Sequence, residues 1–311
     1  THTGVGTAKI AHNLGSIYLK ALATAGTDLS GWTVVLDAAN GAAFHLGPSA
    51  FRQLGARVVA INAADDGARI NVRCGATDLR ELQAAVRAEL ARGTERVVGV
   101  ALDGDADRAK FVDETGAVLD GDHALLILAT ERFERSALPG NAVVATVMSN
   151  VGLERALARN GIGLIRAAVG DRYVLEAMRN GDYLLGGEQS GHLIDLEQGT
   201  TGDGLMTAVR LFGVAARRGA RLHDLAAGLT VFPQILVNVP VTDRRIAADA
   251  AVLAAVADAE RRLGAAGRIL VRPSGTEPLV RVMVEAADEA TTADVAEQVA
   301  AVIRSAQRAS S

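Results

Sequence analysis

Arg96-Val97-Val98-Gly99-Val100-Ala101-Leu102-Asp103-Gly104-Asp105-Ala106-Asp107-Arg108 is a short apolar run that ends in three aspartates at alternate positions. Its length and valine content predict a buried strand delivering an acidic loop. Outward from it, strand-like runs alternate with amphipathic helical stretches, which predicts α/β architecture. Upstream, strands are expected at 32–36 and 56–61, with helices at 48–54 and 79–90. Downstream, 109–112 and 117–119 form a hairpin about the Asp113-Glu114-Thr115-Gly116 turn, and a long helix covers 121–135. Pro139-Gly140 then reads as punctuation near a domain boundary.

The alternation restarts with a strand at 142–147, a helix at 151–159, a strand at 163–169 and a helix at 172–179. A short strand at 183–186 and a helix at 204–218 complete that block. After Leu229 the pattern changes to strand 234–239, helix 248–263, strands 268–271 and 280–285, and a closing helix from Thr292. Two successive strands between two helices predict a small α+β domain. The expected organisation is therefore two α/β domains, 1–120 and 121–229, followed by an α+β domain at 230–311.

Composition narrows the function classes. The 311 residues are 49% hydrophobic with a net charge of -4, as in a folded chain that buries a sizeable core. No basic stripe or nucleic-acid-binding aromatic motif is present, so a nucleic-acid partner is not expected. No apolar run is long enough to span a bilayer, so none is expected to hold the chain in a membrane. Cys74 is the only cysteine, which excludes an intramolecular disulfide framework and cysteine-rich zinc ligation and suits a reducing cytoplasm. The first residues carry no signal-peptide pattern and no initiator Met, so the chain is expected to be a cytoplasmic protein seen as a fragment.

Three loops carry candidate chemistry. In the first, small residues between Asp103, Asp105 and Asp107 let the backbone curl so that three carboxylates converge on one cation. Hard oxygen ligands in a compact site favour Mg²⁺ completed by a substrate phosphate, and Arg108 beside it has the fork to grip a phosphoryl group in transfer. An EF-hand is excluded because Arg108 takes the position that needs glycine and a strand precedes the loop. A strand ending in Asp-x-Asp also resembles haloacid-dehalogenase phosphatases, with Asp103 as nucleophile, but the third aspartate does not suit that pattern. An acidic surface loop fits the bare spacing equally well.

The second loop is Gly186-Gly187-Glu188-Gln189-Ser190-Gly191-His192. Glu188 accepts hydroxyl protons, Ser190 donates or accepts, the glycines admit a ligand close to backbone, and His192 is a candidate proton shuttle. A glycine-rich turn with a satisfied histidine is the plainer reading. The third is Arg272-Pro273-Ser274-Gly275-Thr276-Glu277-Pro278 with Arg281, in which backbone N–H groups and two hydroxyls cradle an anion between two arginines. It is not a Walker loop, having neither Gly-Lys-Ser/Thr nor a following helix, and an ordinary charged turn fits as well.

In this order and at these separations, the three loops resemble those of the α-D-phosphohexomutases, from about Leu14 to the last helix. Asp37-Ala38-Ala39-Asn40-Gly41-Ala42, Val147-Met148-Ser149-Asn150, Val169-Gly170-Asp171-Arg172-Tyr173-Val174 and Gly202-Asp203-Gly204 are also similar to that family. The GGEQSGH and RPSGTEPLVRVMVE wording, with Cys74-Gly75-Ala76-Thr77, looks most like the branch acting on hexosamine phosphates. The alternatives are a phosphomannomutase/phosphoglucomutase, an aspartate-nucleophile phosphatase or a non-catalytic sugar-phosphate-binding module. The resemblance implies that Asp103, Asp105 and Asp107 bind Mg²⁺, and that Glu188 and Ser190 contact sugar hydroxyls. It further implies that Arg272, Ser274, Gly275, Thr276 and Arg281 clamp the phosphate not being transferred, with Arg108 and His192 near the chemistry and Arg172 in an unassigned contact. Ala106 stands where that family often has Gly. The family's phosphoserine belongs to a Thr/Ser-Ala-Ser-His-Asn-Pro loop in a first domain. No such segment occurs in these residues, so the implied partner is an N-terminal domain of the same protein, and the chain alone is expected to be inactive.

Overall fold

The computed structural model describes residues 13–275 and 277–310. They divide into two compact units, 13–149 with 157–228 and 150–156 with 229–310. In chain order the elements are helix α1 (Leu14–Ala25), strand β1 (Thr33–Asp37), α2 (Leu46–Gln53), β2 (Arg57–Ile61), α3 (Arg80–Ala91), β3 (Val97–Leu102), β4 (Ala109–Val112) and β5 (Val118–Leu119). Next come α4 (Gly121–Glu134), β6 (Ala142–Thr146), α5 (Val151–Arg159), β7 (Gly163–Ala167), α6 (Asp171–Asn180), β8 (Leu185–Gly187), β9 (Leu193–Asp195), α7 (Gly204–Arg218) and α8 (Leu222–Ala226). The last are β10 (Gln234–Pro240), α9 (Ala250–Leu263), β11 (Arg268–Pro273), β12 (Leu279–Glu285) and α10 (Glu289–Ser310).

The first unit contains two sheets. One has the order β2-β1-β3-β4-β5, with β2, β1 and β3 parallel and β4 and β5 returning antiparallel. Every residue of β1 and β3 is buried, as expected of central parallel strands covered on both faces, whereas edge strand β2 has no fully buried residue. The other sheet has the order β7-β6-β8-β9, parallel except for the final β8–β9 hairpin. Phe212 of α7 lies 5.8 Å, ring centre to ring centre, from both Phe51 of α2 and Phe111 of β4. Each such aromatic contact is worth roughly 0.5–1.5 kcal/mol beyond its burial, and together they seat α7 against the first sheet. Asp203 caps α7 by accepting from Met206 N at 2.9 Å, and Asp120 begins α4 with a reciprocal cap to His123.

Two consequences of this packing matter for the site. The acidic loop leaves the C-terminal end of β3, beside the centre of its sheet, where open α/β sheets present ligands. The Pro139-Gly140 turn, expected near a domain boundary, instead joins α4 to β6 inside the first unit, with Gly140 at φ 65°. The reason is that α4 packs on β8 and α7, which follow the turn in sequence.

In the second unit, β10, β12 and β11 form an antiparallel sheet with β12 in the middle. Val280, Val282 and Val284 of β12 pack with Val295, Val299 and Ile303 of α10 to form its core. Period-two valines on the strand meet a helical stripe on α10, so each pattern supplies the other's apolar face. Among the described residues, no helix is long and apolar enough to cross a membrane.

Candidate functional site

The acidic loop is built so that its carboxylates converge. Ala106 adopts φ 62°, in the left-handed region, and its N–H donates to the Asp103 carbonyl at 3.1 Å. That turn brings one oxygen from each of Asp103, Asp105 and Asp107 within 4.8 Å of the others. The family-like glycine at this position would adopt the same φ without a Cβ penalty of about 1–2 kcal/mol. Gly41 supports the loop from below: a Cβ there would lie 2.2 Å from Gly104 O, and Ala42 N donates to that same oxygen.

Three carboxylates in this space are only partly offset by Arg108, which donates to Asp103 through its backbone N at 3.1 Å and its Nε at 2.5 Å. The guanidinium thus folds back on its own loop, with Nε also 3.4 Å from Asp107 Oδ1. Asp107 Oδ1 is buried and accepts no hydrogen bond among the described residues. Burial, then the neighbouring Asp103 and Asp105, push the Asp107 carboxyl above its usual range against the pull of His192 and Arg108. An orphaned carboxylate oxygen in an all-oxygen set with excess negative charge fits a hard divalent cation such as Mg²⁺.

The second loop is the hairpin between β8 and β9, closed by Glu188 N to His192 O and Gly191 N to Glu188 O, both 3.0 Å. It lies directly on the strand that follows the acidic loop, because Ala109 N donates to Gly191 O at 3.1 Å. Gly191 is required here: φ is 102°, and a Cβ would sit 2.2 Å from Ala109 O. Gly121 N likewise donates to Gln189 O at 3.1 Å. Glu188 is aimed by two donors, Gly170 N at 3.1 Å to Oε1 and Ser190 Oγ at 3.2 Å to Oε2.

His192 is buried with both ring nitrogens engaged. Gly202 N donates to Nε2 at 3.0 Å, which leaves the ring proton on Nδ1, 3.2 Å from Asp107 Oδ2. As folded, His192 orients a carboxylate of the acidic loop, and proton shuttling requires one of these two hydrogen bonds to open. The structure therefore brings Asp103, Asp105, Asp107, Arg108, Glu188, Ser190 and His192 together in the first unit. Arg172 stands in the first turn of α6 with its guanidinium 5.7 Å from the Tyr173 ring centre.

An open cleft of about 520 Å³ beside the hairpin is lined by Glu188, Gln189, Ser190, Lys110, Asp120, Thr146, Met148 and Val169. Sequence reading missed Lys110 and Asp120. A signal for the first existed: the chain has three lysines among 32 basic residues, and one of them follows the acidic loop directly in an otherwise apolar strand.

The third loop belongs to the second unit, between β11 and β12. Arg272 and Arg281 stand directly opposite each other across the two strands. Like charges so paired repel, and burial followed by Arg281 lowers the proton affinity of Arg272. Glu277 Oε2 accepts from Arg281 Nη2 at 2.9 Å, but the buried Arg281 Nε has no acceptor among the described residues. Arg244 Nη1 donates to the Ser274 and Gly275 carbonyls at 2.6 and 3.1 Å, which secures the oxygen side of the turn. Ser274 is buried and accepts from Glu277 N, nothing lies within 4 Å of a Cβ placed on Gly275, and Thr276 falls outside the described residues. Two opposed guanidiniums with an unused donor have the chemistry to hold an anion such as a phosphate. Arg281→Ala is expected to weaken sugar-phosphate binding by roughly 10- to 100-fold, the worth of a charge-assisted hydrogen bond of about 1.5–3 kcal/mol. Calorimetry on the chain checks this, and an unchanged affinity would remove Arg281 from the clamp.

Comparison with known proteins gives three consecutive family matches. Residues 16–116 match the model described as phosphoglucomutase/phosphomannomutase, alpha/beta/alpha domain II. Residues 120–232 match alpha/beta/alpha domain III and 236–302 the C-terminal domain of the same family. The phosphoglucosamine mutase of Rhodococcus erythropolis is 50% identical over 98% of this chain, which covers 68% of that relative. The enzyme of the same name from Streptomyces avermitilis is 52% identical over 89% of the chain and 61% of its own length. Among solved structures, a phosphoglucomutase/phosphomannomutase family protein of Burkholderia thailandensis superposes with a TM-score of 0.75 at 23% identity, over 94% of this chain and 64% of that one. An Aspergillus fumigatus N-acetylphosphoglucosamine mutase, solved with GlcNAc-6P and magnesium, also gives 0.75 at 21% identity, over 97% and 67%. At those identities the structural likeness shows the fold.

Proposed function

The chain belongs to the phosphoglucomutase/phosphomannomutase family, and from that premise we propose that it supplies the metal, sugar and phosphate loops of a cytoplasmic phosphoglucosamine mutase. That isomerase interconverts glucosamine 6-phosphate and glucosamine 1-phosphate. A phosphoserine gives its phosphoryl group to a free sugar hydroxyl: the serine P–O bond breaks, the sugar O–P bond forms and the hydroxyl proton leaves to a base. The resulting 1,6-bisphosphate turns round and returns its other phosphoryl group to the serine. The serine is expected on a domain outside these three.

The observation that carries this reading is the abutment of the acidic loop and the β8–β9 hairpin, through Ala109 N to Gly191 O and His192 to Asp107. It sets sugar-hydroxyl acceptors Glu188 and Ser190 beside a carboxylate triad. Asp103, Asp105 and Asp107 would hold Mg²⁺, which when bound supplies positive charge to a phosphoryl group in transfer. Arg108 holds Asp103 in register, and Arg272 and Arg281 bind the phosphate that does not react. The phosphatase alternative has no such support, because Asp103 is 1% exposed and both of its oxygens already accept from Arg108. The test is calorimetric binding of glucosamine 6-phosphate, mannose 6-phosphate and glucose 6-phosphate to the chain with Mg²⁺ present. Preference for glucosamine 6-phosphate is expected, and preference for either of the others moves the chain to the phosphomannomutase/phosphoglucomutase reading.

A further inference from the structure

Gly202-Asp203-Gly204 leads into α7, and beyond the Gly202 N–H that meets His192 its residues belong to none of the three loops. Its backbone nevertheless lies flush against the acidic loop. Gly204 N donates to the carbonyl of left-handed Ala106 at 2.9 Å, and Gly202 N donates to His192 Nε2 at 3.0 Å. Neither position has room for a side chain. A Cβ on Gly202 would stand 2.6 Å from the His192 ring and 2.7 Å from Asp107 O, and one on Gly204 would stand 2.7 Å from Arg108 O.

Between the two glycines, Asp203 is fixed from both sides. Its Oδ1 caps α7 at Met206 N, and both carboxylate oxygens lie within reach of Tyr18 Oη, at 2.7 and 2.9 Å. Tyr18 comes from α1, 185 residues earlier. Burial and the Asp203 carboxylate together hold its phenol protonated, so it acts as a permanent donor.

We propose that Tyr18 and Asp203 are positioning residues for the metal loop. They hold the two flanking N–H groups where one fixes the Ala106 turn and the other fixes the His192 tautomer that orients Asp107. The inference rests on the reading of Asp103, Asp105 and Asp107 as cation ligands. The chemistry is that of an outer layer of hydrogen bonds which sets the direction of ligating carboxylates; removing such partners elsewhere costs about 10- to 100-fold in metal affinity.

The test is direct Mn²⁺ binding, followed by electron paramagnetic resonance, to the 311-residue chain and to its Tyr18→Phe, Asp203→Asn and doubly substituted forms. Tyr18→Phe keeps the ring and removes only the donor, and Asp203→Asn keeps a residue that caps helices equally well. Each single variant is expected to bind Mn²⁺ about tenfold more weakly. The double variant should be no weaker than Asp203→Asn, because Tyr18 acts through Asp203. If Tyr18 and Asp203 only tie α1 to α7, thermal unfolding will fall while Mn²⁺ affinity stays at the wild-type value, and the proposal is overturned. Asp105→Asn, measured alongside, separates the two readings. Loss of Mn²⁺ there with full binding in both single variants overturns this inference alone, whereas unaltered binding in Asp105→Asn overturns the metal assignment and this inference with it.

Discussion

Assayed alone with Mg²⁺, glucosamine 6-phosphate and glucosamine 1,6-bisphosphate, the 311-residue chain is expected to give no mutase turnover above background. The loops proposed to hold metal, sugar and distal phosphate are present, so weak binding should persist. What these residues lack is the Thr/Ser-Ala-Ser-His-Asn-Pro segment that carries the phosphoserine in the family. The serines of the site loops are committed elsewhere: Ser190 Oγ donates to Glu188, Ser274 is buried and accepts from Glu277 N, and Ser149 is fully buried. The bisphosphate is expected not to rescue activity, since on the proposed mechanism it acts by phosphorylating a serine outside these residues. Loss of a covalent nucleophile costs on the order of 10⁴-fold or more, so a coupled assay has ample range. Turnover from the chain alone would mean that one of its own residues is the nucleophile.

Why some of this was legible in the sequence and some was not follows from the range of the interactions. β1, β3 and β12 announce themselves because their burial is written locally, in runs of valine and leucine. Helix α7 was expected with the bounds it has, since Asp203 caps it at one end and Gly219 closes it at φ 58°. The short strand β9 and the five-residue helix α8 were missed, as was α1. The first two are too short to show a period. In α1 only Leu22 is fully buried, while Leu14 and Ile17 are exposed, so its apolar residues do not form a clean inward stripe.

The site divides in the same way. Asp103, Asp105 and Asp107 converge through a turn of five residues, so their spacing was enough to suggest a cation site. The Tyr18–Asp203 pair spans 185 residues, and no local pattern could have joined it to the acidic loop. The chemistry of His192 alone suggests a proton shuttle, but its engagement by Gly202 and Asp107 depends on how α7 and the hairpin pack. Spacing reveals ligands that share a loop. It is blind to the residues that hold the loop in shape.

Asp105→Asn is expected to lower Mg²⁺ affinity about 100-fold or more while leaving the fold intact. The three aspartates are not equivalent structurally. Asp103 is buried and bound twice by Arg108, so replacing it would break an ion pair as well as remove a ligand. Asp107 is tied to His192. Asp105 is exposed, and no hydrogen bond to its side chain is present among the described residues. A substitution there touches nothing that the fold relies on, so unfolding free energy should stay within about 0.5 kcal/mol of wild type. The cation, in contrast, loses one charged oxygen from a set of three. Amide oxygen is a poorer partner for a hard, strongly hydrated ion than carboxylate, and removal even of outer hydrogen-bond partners costs about 10- to 100-fold. A direct ligand should cost at least the upper end of that range. One compensation runs the other way: Asp105 is among the charges that raise the proton affinity of Asp107, after burial and Asp103, so its neutralisation makes Asp107 easier to ionise. That gain matters only in mild acid, where Asp107 competes with protons, and it should narrow the difference between variant and wild type as pH falls. Calorimetry of Mg²⁺ binding at neutral and mildly acidic pH, with thermal unfolding as the control, measures both effects. Equal affinity in the two proteins at neutral pH would show that the cation is not held by this loop.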